Sequence, residues 1–64
     1  MGENPVGPVE ALKLALGMEL DAAEFYKRMA DQHRAASEVF NFLMNEEVKH
    51  RQIIEKKIQE LTRS

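Results

Sequence analysis

Two long stretches of helical apolar period, joined by one short break, constrain this chain more than any other feature. In the first, Leu12, Leu16, Ala23, Tyr26 and Ala30 recur at spacings of three, four or seven, the period of one helix face. In the second, Phe40, Leu43, Glu47, His50, Ile54 and Leu61 do the same. Val39, Phe42, Ile53 and Ile58 widen that stripe beyond a narrow coiled-coil seam. The break lies between Gln32 and Ser37, with Ser37 the candidate cap of the second helix unless Ala35 and Ala36 are already helical. Pro8 suits a first helical position, where its missing N–H costs nothing, and Glu10 suits the first turn. The pattern predicts helices over Pro8 to about Gln32 and from the break to about Thr62. Each holds about 25 residues and is roughly 37 Å long. Gly17 interrupts the first at a cost of about 1 kcal/mol relative to Ala; close helix packing is the expected reason for it. Residues 1–7, with Gly2, Asn4, Pro5 and Gly7, read as an arm, and residues 8–64 as one helical hairpin.

A chain of 64 residues is marginal as an independent fold and normally needs disulfides, a metal or oligomerisation. It contains no cysteine, which removes disulfides, thiolate metal sites and thiol catalysis. A net charge of −2 gives no electrostatic reason to expect nucleic acid. No apolar run is long enough to span a membrane and no signal peptide is evident, so a cytoplasmic location is expected. Lys49, Arg51, Lys56 and Lys57 alternate with acids and read as a solvated face. Two helices cannot cover both wide stripes. The expected architecture is all-α: an antiparallel two-helix hairpin that pairs with a second copy into a four-helix bundle, so the expected partner is the chain itself, as a dimer at least.

Polar residues interrupt both stripes. Glu19 falls in line with Leu12, Leu16, Ala23 and Tyr26, while Glu47 and His50 fall in line with Phe40, Leu43 and Ile54. Burying a carboxylate at such positions costs several kcal/mol unless it is paired. Counting from the turn, all three residues lie about 16–21 Å along their helices, so they should converge on one layer. A Glu and a His three apart on one face can reach one metal centre. Carboxylates with a single imidazole suit iron or manganese better than zinc. Two hairpins would supply four Glu and two His, and two divalent cations would neutralise the four carboxylates. Glu47-Val48-Lys49-His50 alone is a weak motif. With nine glutamates in the chain, a His has a Glu three residues before it by chance about one time in seven. Glu19 at matching height on the facing stripe makes the combination far more specific. Glu24 lies about 140° from Glu19 around the helix and is expected to be exposed, as is Glu46; His33 falls in the turn.

The segments Ala11–Tyr26 and Phe40–His50 resemble two successive helices of rubrerythrin-like members of the ferritin-like superfamily, and the resemblance covers about residues 9–61. It implies a di-iron site in which Glu19 is a terminal carboxylate, Glu47 a carboxylate bridging both metals and active in the chemistry, and His50 a terminal imidazole. It also implies a tyrosine, Tyr26, near the reacting layer. The chain holds only half of a four-helix bundle, and in this it is similar to the two-helix encapsulated ferritins, whose site forms between subunits. That likeness implies a larger ring and a protein compartment as further expectations. It carries no rubredoxin-type Cys-x-x-Cys segment, so turnover would need an external electron donor. The implied activity is oxidation of Fe(II) by oxygen or peroxide. Two other readings stay open: a non-catalytic site holding Mn or Zn, and a metal-free polar network that specifies register.

Overall fold

Pro8 opens the first helix as its ring geometry dictates. Gly7 stands before it in extended backbone (φ −68°, ψ 166°), and the Gly7 carbonyl accepts from the Ala11 N–H at 2.9 Å. The computed structural model describes residues 6–63 of the chain. Helix α1 runs over Pro8–Gln32, a short 3-10 turn follows at Arg34–Ala36, and helix α2 runs over Ser37–Thr62. Among the described residues there is no strand. The expected arm at 1–7 falls largely outside the described residues; only Val6 and Gly7 of it lie within them, as coil.

The turn is built from backbone rather than from a side-chain cap. His33 closes α1 by donating its N–H to the Met29 carbonyl at 2.9 Å, and Ala36 donates to His33 at 3.0 Å. Ser37 donates its backbone N–H to Arg34 and already has helical dihedrals (φ −60°, ψ −35°), so it is the first residue of α2 and not its cap. Ala36 takes the cap position without any side-chain hydrogen bond. The 3-10 turn supplies acceptors for N–H groups that a capping side chain would otherwise have to satisfy. At the far end Thr62 Oγ1 donates to the Ile58 carbonyl at 2.8 Å, and Arg63 N–H closes the helix on Gln59.

The two helices lie antiparallel. Tyr26 stacks on Phe40 with ring centroids 6.4 Å apart, and Glu19 meets His50. Moving back along α1 thus moves forward along α2. Leu12, Leu16, Ala23 and Tyr26 of α1 and Phe40, Leu43, Ile54 and Ile58 of α2 are all partly covered, and Ala30 is buried at 7% exposure. Leu61, placed in the same stripe by sequence, stays exposed near the end of α2.

The hairpin is a single layer. It measures 11 Å in its thinnest direction, too little for a second layer of helices at about 8–10 Å between axes. A wide apolar surface therefore remains open: Met18 is 71% exposed and Ile53 68%, and Leu14, Phe25, Val39 and Phe42 are exposed with them.

Gly17 corrects an expectation. A Cβ built on it meets nothing within 4 Å, so close packing within the hairpin does not explain the glycine. Gly17→Ala should therefore raise stability by about 1 kcal/mol, through helix propensity and a less flexible unfolded chain. Urea denaturation of parent and variant checks this; a destabilised variant would mean that another surface needs the missing side chain.

Candidate metal centre

The polar residues of the two stripes meet where counting from the turn puts them. Glu19 reaches the seam from α1, and Glu47 and His50 reach it from α2. Each offers one ligand-type atom, and the three atoms lie within 4.8 Å of one another. His50 Nδ1 is 3.2 Å from Glu19 Oε1 and 3.4 Å from Glu47 Oε1. Only the first contact is a hydrogen bond. It requires the Nδ1–H tautomer, because an ionised carboxylate only accepts. Glu47 Oε1 is buried and has no hydrogen-bond partner among the described residues.

Burial is graded across the cluster. The Glu47 side chain is 12% exposed, Glu19 is partly covered, and the His50 side chain is 49% exposed. The deepest member is thus a carboxylate whose sealed oxygen lies 3.4 Å from His50 Nδ1 but accepts no hydrogen bond among the described residues, and the imidazole lies at the open edge. Such an oxygen is costly unless something compensates it. A divalent cation held by two carboxylates and an imidazole provides that compensation, and oxygen donors with one nitrogen are the set that iron and manganese accept. The residues present fit a metal of that kind.

The other candidates fall elsewhere. Tyr26 sits in an aromatic group, edge-on to Phe25 at 5.7 Å and stacked on Phe40, two helical turns nearer the turn than Glu19. It is not among the three clustered residues. Glu24 is exposed and pairs with Arg28 at 3.5 Å, as its angular position predicts. Glu46 is half-covered and pairs with Lys49 at 3.0 Å. The His33 ring lies 6.5 Å from that of Phe40.

A family model for rubrerythrin matches residues 10–64, all of α2, α1 from Glu10 onward and all three clustered residues included. The chain belongs to the rubrerythrin family. Comparison with curated proteins and with solved structures gave no match. The rubrerythrin family usually binds iron, in keeping with the carboxylate-rich donor set of this rubrerythrin-type hairpin. Among the described residues, no helix is long and apolar enough to cross a membrane.

One residue departs from its sequence reading. Arg51 was expected on a solvated face with Lys49, Lys56 and Lys57, yet it is half-buried and its Nε is sealed from solvent without an acceptor. Alternation of charge sign concealed it. The signal available was its spacing: four residues after Glu47 places it only about 40° around the helix, on the covered side.

Proposed function

We propose that two copies of the hairpin pair through their open apolar faces into a four-helix bundle, and that two Glu19, two Glu47 and two His50 together hold two iron ions. The observation that carries this reading is the buried, unpartnered Glu47 Oε1 inside a cluster of two carboxylates and an imidazole. The exposed Leu14, Met18, Phe42 and Ile53 support the pairing, since apolar area of this extent on a chain this small is otherwise left in water. The half-exposed His50 lies at the edge where a second copy would complete the coordination.

In this reading the chain is an iron-oxidising protein of the cytoplasm, acting in iron handling or peroxide removal with oxygen or peroxide as oxidant. Iron held there would supply the electrons that reduction of oxygen or peroxide needs. The residues do the rest. Glu47, Glu19 and His50 would hold the metal through carboxylate oxygens and an imidazole nitrogen, and the Glu19–His50 hydrogen bond orients those two side chains. Leu16, Leu43 and Ile54, partly covered along the same stripes, limit water around the layer. Tyr26, packed between Phe25 and Phe40 two helical turns toward the turn from Glu19, is proposed to serve the layer from that side rather than as a ligand. Without cysteine in this chain, sustained turnover draws electrons from Fe(II) itself or from an external donor.

Metal content and assembly test the reading together. Iron-loaded protein should sediment as a dimer or larger assembly and carry about one iron per chain. His50→Ala should lose iron, Glu47→Ala should lose more, and exposed Glu24→Ala should match the parent. A folded monomer at micromolar concentration, or equal iron in all variants, would refute it. The Glu19–His50 hydrogen bond favours one second reading, a metal-free polar network fixing helix register. Protein that folds and pairs equally well after exhaustive chelation would support that instead.

A further inference from the structure

The methionines of the hairpin differ sharply in cover. Met29 and Met44 are partly covered, whereas Met18 is 71% exposed, more than any other large apolar side chain among the described residues. Leu14, Met18 and Phe25 follow one another at four and seven residues and so share one side of α1. All three are exposed, and Met18 stands in the middle. It also directly precedes Glu19, which puts it about 1.5 Å along the axis from the candidate metal layer and about 100° around it. The most accessible thioether of the hairpin thus lies at the height of the site, in the centre of the open apolar strip of α1. With no cysteine in the chain, thioether sulfur is the side-chain atom most open to peroxide.

We propose that Met18 is a modification site: hydrogen peroxide oxidises its thioether, and the product keeps two hairpins apart. The sulfur gives up an electron pair and takes one oxygen atom. A sulfur–oxygen bond forms as the peroxide O–O bond breaks, and the second oxygen leaves as water with both hydrogens. No other co-reactant is needed. The product is a sulfoxide, polar where the thioether was apolar. In a single hairpin the change costs little, because at 71% exposure water solvates the new oxygen. In a pair it is costly. The strip offers Leu14 and Phe25 on either side of Met18, and neither side chain donates a hydrogen bond, so the oxygen loses its water without replacement. Oxidation therefore acts on the pairing step and not on the fold of the hairpin. Pairing in turn covers the sulfur, so peroxide and a second copy compete for Met18. This consequence rests on the proposed pairing through the open face. Because the two-metal site forms only in the pair, peroxide left unconsumed holds unpaired hairpins out of the iron chemistry until the sulfoxide is reduced.

The test treats the full chain, dilute and with chelator present, with hydrogen peroxide, and locates the added oxygen by peptide mass mapping. Met18 should gain it several-fold faster than Met29 and Met44. Catalase then removes the peroxide, Mn(II) is added, and sedimentation measures pairing. With one sulfoxide in each copy, pairing should weaken on the order of 100-fold, while far-ultraviolet circular dichroism stays unchanged. The two methionine sulfoxide reductases, one for each epimer, should together restore it. Met18→Leu leaves peroxide only the other methionines and should pair as the untreated parent does, before and after treatment. Met18→Gln, polar from the start, should pair as weakly as the oxidised parent. Oxygen gained as fast at Met29 or Met44, undiminished pairing of chain oxidised at Met18, or peroxide-sensitive pairing in Met18→Leu would each overturn the inference. Untreated parent that stays unpaired with Mn(II) is a different failure: it would remove the pairing reading and the role of Met18 with it.

Discussion

Glu47→Ala should reduce the rate of Fe(II) oxidation by more than about 100-fold, to that of buffer. Residues that only orient a metal ligand typically cost 10–100-fold when removed, and Glu47 is read as a ligand to both ions. It is the deepest member of the cluster, and its Oε1 has no hydrogen-bond partner among the described residues. The measurement is the growth of near-ultraviolet Fe(III) absorbance after Fe(II) is added anaerobically and then met with oxygen or peroxide. The helices should survive the change, because alanine favours helix and the truncation removes a buried charge. Far-ultraviolet circular dichroism of the variant verifies that. Parent protein that oxidises Fe(II) no faster than this variant would leave a structural metal as the better account.

Metal loading should raise the melting temperature at neutral pH by roughly 10 °C. A ligand that binds only the folded state adds about 2.7 kcal/mol at a hundredfold excess over Kd, and each kcal/mol moves the midpoint of a small protein by about 4 °C or more. The pH dependence has a definite sign. Metal binds carboxylates that are ionised and imidazole that is neutral, so binding releases protons. The stabilisation is therefore fully present at the neutral end and declines as acidity rises, because protons compete with metal for the imidazole nitrogen and the carboxylate oxygens. Scanning calorimetry of loaded and chelated protein at several pH values checks this. Because the proposed site spans two copies, the loaded midpoint should also rise with protein concentration. A gap that stayed constant down to pH 5 would mean that Glu19, Glu47 and His50 do not bind the metal.

Much of this molecule was legible before any coordinates. The apolar period placed the helices over Pro8 to about Gln32 and from the break to about Thr62, against Pro8–Gln32 and Ser37–Thr62 in the structure, because 3.6 residues per turn leaves little freedom over seven turns. The meeting of Glu19 with Glu47 and His50 followed from rise alone: equal counts from one turn must reach equal heights in an antiparallel pair. The turn was less legible, since backbone hydrogen bonds of a 3-10 segment can replace the side-chain cap that Ser37 suggested. Composition carries no trace of that substitution.

Sequence by itself determined the elements, their antiparallel height match and the chemistry of the donor set, all properties of single helices and of residue type. Only the tertiary structure decided how deeply each donor lies. Helical position says which way a side chain leaves the axis, whereas burial depends on what the facing helix places over it. Glu47 is nearly covered while His50, on the same stripe, stays half-open. Gly17 turns out to have space beside it, and Arg51, from a run that reads as surface, has its Nε sealed inside the hairpin. Each of these outcomes is set by the lateral offset between two helix axes, a quantity that no one-dimensional period contains.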